Sequence, residues 1–167
     1  MAEKKDNYTL IGMPGAGKST IGVLLAKALG YEFIDTDLVI QQREGKLLKE
    51  IITQKGNDGF KKIEEEVNAS IEASQSVIAP GGSAIYSEKA MQHFKKIGMV
   101  IYLKLSFESV KHRLGNLKAR GVVLEKGQTL YDLYCERVPI YEKYADITVD
   151  LDDLSIGDSL EKVLENL

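Results

Sequence analysis

Short apolar runs recur along this chain, and the stretches between them carry their apolar residues three or four positions apart. The runs at 8–11, 32–35, 76–79, 99–103 and 147–149 are rich in Ile, Val, Leu, Phe and Tyr and too short for helices, so they predict five strands. Met99-Val100-Ile101-Tyr102-Leu103 is the most continuous and reads as a central strand buried on both faces. Helical spacing covers 21–29, 38–43, 47–52, 60–73, 87–95, 106–117, 129–145 and 155–167. In 60–73, Phe60, Ile63, Val67 and Ile71 share a face; in 155–167, Ile156, Leu160, Val163, Leu164 and Leu167 do. The punctuation agrees. Gly30 suits a C-cap, Gly45 and Gly56 are stops, Ser106 suits an N-cap, and Thr129 with Asp132 has the form of a capping box. Pro139 falls inside a helix and predicts a bend. Residues 118–127 have no period, contain Gly121 and Gly127, and read as a mobile loop.

Strands that alternate with helices predict the α/β class, with a five-stranded parallel sheet flanked by helices on both faces. At 167 residues, the expectation is a single domain over 1–167. Composition changes little: 44% hydrophobic and 28% charged residues are ordinary for a soluble globular protein. A net charge of −3, with Lys-rich segments interleaved with Asp and Glu, argues against a dedicated nucleic-acid binder. The polar start of the chain shows no signal peptide, and no apolar run approaches membrane-spanning length, so the expected location is cytoplasmic without a membrane partner. No surplus apolar helix face stands out, which suggests a monomer. Cys135, alone among Leu130, Leu133 and Tyr134, is expected to be a partly buried small side chain.

The chemistry starts at Gly12-Met13-Pro14-Gly15-Ala16-Gly17-Lys18-Ser19-Thr20, which fits G-x-x-x-x-G-K-[ST] between a predicted strand and a predicted helix. Glycines let successive N–H groups point at one centre, and the helix N-terminus adds partial positive charge. Gly15, Ala16, Gly17, Lys18, Ser19 and Thr20 are therefore the expected nucleotide-phosphate cradle, with Lys18 on the β- and γ-phosphates and the Ser19 hydroxyl on Mg²⁺. In a doubly wound sheet, ligands gather beyond the carboxyl ends of the strands. Asp35-Thr36-Asp37 ends the second strand, and Pro80-Gly81-Gly82-Ser83 follows the third. One carboxylate can hold Mg²⁺ and the other can accept a substrate proton; the competing reading makes one of the two a helix N-cap, commonly Asp37 ahead of Leu38. Gly81-Gly82 is either a plain turn or a place where backbone N–H groups approach a ligand. Arg120, in the loop, is either a surface residue or a cis arginine finger. Arg137 also reads as a surface charge. Lys61 and Lys62 ahead of Glu64-Glu65-Glu66 suggest helical ion pairs. His93 and His112 have no partners at ligand spacing and read as surface or satisfied residues.

Taken together, Gly12 to Thr20, Phe33-Ile34-Asp35-Thr36-Asp37, Gln42-Arg43-Glu44-Gly45, Phe60 with Ile63-Glu64-Glu65, Pro80-Gly81-Gly82, Val100-Ile101-Tyr102-Leu103, and Glu136-Arg137-Val138-Pro139-Ile140-Tyr141 with Ala145-Asp146 resemble shikimate kinase over nearly the whole chain. The resemblance implies a P-loop kinase fold with a lid over about 118–127 and a substrate-binding helical segment over about 37–73. It also implies transfer of the γ-phosphoryl of ATP to the 3-hydroxyl of shikimate, with Mg²⁺, in the route to chorismate. On that pattern Lys18, Asp37 and Arg120 are catalytic, Asp37 being the base and Arg120 the lid arginine on the nucleotide. Ser19 and Asp35 serve the metal, and Asp37, Lys61, Gly81, Gly82 and Arg137 the substrate. Arg113 and the 151–156 loop are adenine-site candidates. The chain departs from the family in three places: Lys61 stands where the family has arginine, Ser83 where it has a third glycine, and Arg120-Gly121-Val122-Val123 where its lid reads Arg-Pro-Leu-Leu. Two alternatives accompany this reading. One is a related kinase for another small hydroxy acid or sugar acid, motivated by Lys61 and Ser83. The other is a nucleotide-binding regulator without turnover, motivated by the altered lid.

Overall fold

The computed structural model describes residues 5–115 and 124–167. In chain order the elements are β1 (Asn7–Ile11), α1 (Lys18–Leu29), β2 (Glu32–Asp35), α2 (Thr36–Glu44), α3 (Leu48–Ser70), β3 (Ser76–Ala79), a 3-10 turn (Ala84–Tyr86), α4 (Glu88–Ile97), β4 (Gly98–Lys104), α5 (Phe107–Leu114), α6 (Leu130–Tyr144), β5 (Ile147–Asp150) and α7 (Ile156–Glu165). The five strands form one parallel sheet in the order β2-β3-β1-β4-β5. The second strand therefore does not lie beside the first; β3 is inserted between them. All of β3 and Val100–Leu103 of β4 are buried, which requires cover on both faces and accounts for their unbroken apolar sequence. That cover comes from α1 packed on β2, β3 and α7, and from α4 packed on β4 and α3.

Local chemistry explains most element ends. Ser87, Ser106, Thr129 and Ser155 accept N–H bonds at the starts of α4, α5, α6 and α7, and Thr129 with Asp132 completes a reciprocal capping box. The two helical stretches expected over 47–52 and 60–73 adjoin as α3 and are broken at Gly56, whose φ of 71° and ψ of 175° are not helical; the second stops at Ser70. It ends early because the segment beyond is bound elsewhere. Asn7, 1% exposed at the amino end of β1, donates to Ala73 O at 2.8 Å and Ile97 O at 2.9 Å and accepts from Ser76 N at 3.0 Å. Three separate segments are thus tied to one side chain at the end of the sheet opposite the strand C-termini. Helix α5 likewise stops at Leu114 because Gly115 follows with φ of 50°. Pro139 lies within the helical span of α6.

Two sequence expectations fail here. Cys135 is exposed. α6 buries Leu133, Arg137, Tyr141 and Tyr144, a stripe with spacings of four and three that leaves Cys135 on another face. The ion pairs expected of Lys61 and Lys62 are also absent among the described residues. Glu64 is buried and accepts from Ser83, Glu65 accepts from Ser87, and Glu66 pairs with Arg43.

Candidate active site

The P-loop leaves β1 and closes onto α1. Gly17, with φ of 91°, is the left-handed N-cap of α1, so Lys18 and Ser19 lie in the first helical turn. No side chain caps this helix, and its first N–H groups remain directed at the loop. Gly12 lies so close to β4 that a Cβ there would sit 2.7 Å from Leu103 O, which excludes any larger residue. Lys18 Nζ donates to Gly12 O at 2.6 Å and Met13 O at 3.1 Å, folded back over the loop that an incoming phosphate would occupy. Burial pushes the Lys18 ammonium down to about 8, helped by Arg137 and opposed by Asp37. A polyanion reverses that shift, so the site is electrostatically prepared for phosphate. Ser19 and Thr20 are exposed beside it.

In the Asp35-Thr36-Asp37 segment one carboxylate does cap the helix, but not the one the competing reading named. Asp35, not Asp37, is the N-cap of α2: its Oδ1 accepts from Asp37 N at 2.9 Å. The helix begins directly at the strand end, so Asp37 occupies its first turn with its carboxylate unused for capping. Burial, then the neighbouring Asp35, raises Asp37 to about 6, with Lys18 opposing. A carboxylate in that range is ionised at neutral pH yet basic enough to take a proton. For a metal, the site offers the Ser19 hydroxyl and the remaining Asp35 carboxylate oxygen. Both are hard oxygen donors and fit Mg²⁺ held mainly by phosphate and water. Among the described residues no group of three His, Cys, Asp or Glu side chains could hold a metal ion alone.

The Gly81-Gly82 turn is a close approach on two sides. A Cβ on Gly81 would meet Glu64 Oε2 at 2.9 Å and Asp37 Oδ1 at 3.0 Å; one on Gly82 would meet Arg137 Nη1 at 2.7 Å. The backbone after β3 therefore lies between Asp37 and Arg137, and Lys18 is within electrostatic reach of both. Arg137, a surface charge by residue pattern and a substrate residue by resemblance, is 8% exposed and makes no ion pair among the described residues. Its Nε donates to Tyr86 OH at 3.3 Å. A buried guanidinium without a carboxylate partner is costly unless an anion completes it. α6, which carries it, is tied to the P-loop: Tyr141 stacks on Tyr102, and its hydroxyl lies 3.9 Å from Met13 Sδ.

Two cavities adjoin this core. The P-loop lines one of about 680 Å³ together with His112, Arg113, Leu154 and Ile156, which puts the adenine-site candidates beside the phosphate cradle. Phe60, Lys61, Ser83, Tyr86, Leu133 and Arg137 are among those lining the other, of about 590 Å³. Lys61, Lys18, Asp35, Asp37, Gly81, Gly82 and Arg137 are thus all at or near the carboxyl edge of the sheet. Arg120 and most of the expected lid lie outside the described residues. His93 is satisfied by Ile71 O at 2.6 Å.

Glu64 is the residue that sequence reasoning missed. Burial raises its carboxyl, with the Ser83 hydrogen bond opposing. A signal existed: Glu64 falls on the stripe Phe60, Val67, Ile71, where an unpartnered carboxylate would not be placed.

The shikimate kinase family profile matches residues 14–167. The chain belongs to the shikimate kinase family. A shikimate kinase of Pasteurella multocida is 40% identical over 159 residues, covering 93% of this chain and 90% of that protein. Among solved structures, a shikimate kinase from Acinetobacter baumannii in complex with shikimate superposes with a TM-score of 0.85 at 32% identity, covering 98% and 93% of the two chains. That from Aquifex aeolicus gives 0.79 at 32% identity over 95% and 94%.

Proposed function

We propose that this protein transfers the γ-phosphoryl group of ATP to the 3-hydroxyl of shikimate, giving shikimate 3-phosphate and ADP. The observation that carries this is Arg137: a buried guanidinium without an ion-pair partner among the described residues, set across the Gly81-Gly82 turn from the Asp37 base. It suits an acceptor with a carboxylate at one end and hydroxyls at the other.

Residues Gly15 to Thr20 hold the phosphates through backbone N–H groups and the Lys18 ammonium, which leaves its carbonyl partners as the nucleotide enters. Asp37 orients the acceptor hydroxyl and takes its proton as the new P–O bond forms; the bond from the γ-phosphorus to the bridging oxygen breaks, and ADP leaves with that electron pair. Ser19 and Asp35 are the residues that would hold Mg²⁺, which neutralises phosphate charge when bound. Gly81 and Gly82 bring backbone against the acceptor, Arg137 and Lys61 take its carboxylate, and Arg120 reaches the nucleotide phosphates from the lid at 118–127. The whole chain works as one kinase domain. Positioning and charge neutralisation do most of the catalysis.

The test is a coupled ADP-release assay with ATP, Mg²⁺ and shikimate, run beside a no-acceptor control and a panel of other hydroxy acids. Shikimate-dependent ADP release is expected. Release driven by another acid, with none from shikimate, overturns the assignment of the acceptor; ATP binding without turnover of any acceptor overturns the kinase reading.

A further inference from the structure

Tyr86 has no place in the mechanism above, yet it touches both cations of the acceptor cavity. Lys61 Nζ lies over its ring, 5.6 Å from the centroid, and Arg137 Cζ lies 5.5 Å from the same centroid. Its hydroxyl accepts the Arg137 Nε–H. Lys61 precedes Glu64 by three positions, a spacing at which the two side chains can pair. They make no ion pair, although Lys61 is within electrostatic reach; Glu64 accepts from the Ser83 hydroxyl at 2.5 Å and packs against the Gly81 backbone. The cavity's remaining charged lining, Lys55 with Asp58, Glu125 and Glu136, leaves it with no excess of positive charge. Anion preference there depends on where Lys61 and Arg137 are held rather than on how many cations are present.

We propose that Tyr86 is a specificity-determining positioning residue: its ring and hydroxyl hold Lys61 and Arg137 together as a two-cation clamp for the acceptor carboxylate. This rests on the acceptor reading above. The ring face attracts both cations while leaving their outward N–H groups free, which a carboxylate partner would not do. The 3-10 turn that carries Tyr86 follows directly from Gly81-Gly82-Ser83, so the clamp and the backbone contact to the acceptor move as one unit.

The experiment compares wild type, Tyr86→Phe and Tyr86→Leu with two acceptors, shikimate and its methyl ester, which lacks the negative charge. Shikimate-dependent ADP release by the wild type checks the underlying reading on its own. Given that activity, Tyr86→Leu should raise KM for shikimate about tenfold and Tyr86→Phe about threefold, from loss of cation–π and hydrogen-bond contacts. The KM for the ester, the KM for ATP and kcat should change by less than about twofold, so preference for the acid over the ester falls. Thermal melting separates a folding defect from a binding one, since Tyr86 is 39% exposed. Equal KM increases for acid and ester, or unchanged acid KM in a folded Tyr86→Leu protein, would overturn the proposal.

Discussion

Asp37→Asn should make the ligand-free protein more stable at neutral pH while removing its activity. Asp37 rises from its ordinary 3.8 to about 6, by burial and then by Asp35. At about 1.4 kcal/mol per pKa unit, that shift corresponds to at most about 3 kcal/mol of destabilisation once the group is ionised. Asp37 is only partly enclosed, and solvent screening reduces the figure to about 1–2 kcal/mol. The sign follows from proton binding. The folded state keeps the Asp37 proton up to about pH 6, and the unfolded state releases it near 3.8, so this contribution to stability falls as pH rises between those values. Below about pH 4 the ionisation strain is absent. Asparagine carries none at any pH and retains the backbone N–H that Asp35 accepts. For a domain of this size, about 1–2 kcal/mol is a rise in Tm of about 2–8 °C. Calorimetric melts of both proteins at pH 7.5 and pH 4 measure it: a gain at the higher pH and little or none at the lower. In parallel, kcat should fall about 10²–10⁴-fold with ATP binding largely preserved, the usual size of a general-base contribution. An equal Tm change at both pH values, or a loss of stability at pH 7.5, would refute the account of Asp37 as a carboxylate held under strain for proton transfer.

Wild-type kcat/KM for shikimate should show an acid limb near pH 6, absent from the residual activity of Asp37→Asn, in a pH–rate profile. Lys18→Ala should abolish turnover, and isothermal titration should show weakened ATP binding, because the ammonium is folded over the phosphate loop on the Gly12 and Met13 carbonyls. Gly82→Ala places a Cβ 2.7 Å from Arg137 Nη1 and so displaces a flexible tip rather than backbone; KM for shikimate should rise about tenfold with Tm nearly unchanged. Asn7→Ala removes three hydrogen bonds of a buried side chain far from the site and should cost about 2–4 kcal/mol by urea denaturation, with kcat unaffected in the protein that remains folded.

The strands and the phosphate cradle were legible in the sequence because their causes are local or nearly so. A strand covered on both faces must be apolar at every position, and 76–79 and 99–103 are. The P-loop needs glycines, a lysine and a hydroxyl at fixed spacing, all within one turn and the start of one helix. Capping chemistry at Ser106 and Thr129 is equally short-range and was read correctly, to within a few residues at the helix ends. Asp37 was read as a base by resemblance, but whether it or Asp35 capped α2 depended on the helix starting at Thr36, which the pattern did not reveal. Tertiary structure alone decided the rest. It inserted β3 between β1 and β2, and so brought Gly81 against Asp37 and Glu64. By rotating α6 it buried Arg137 and exposed Cys135. By bonding Ser83 to Glu64 it turned an expected surface ion pair into a buried carboxylate and left Lys61 on Tyr86. Each of these is a contact between residues far apart in the chain, set by which face of an element meets the sheet. Residue spacing carries the period of that face, but the partner that covers it is chosen only when the whole core packs.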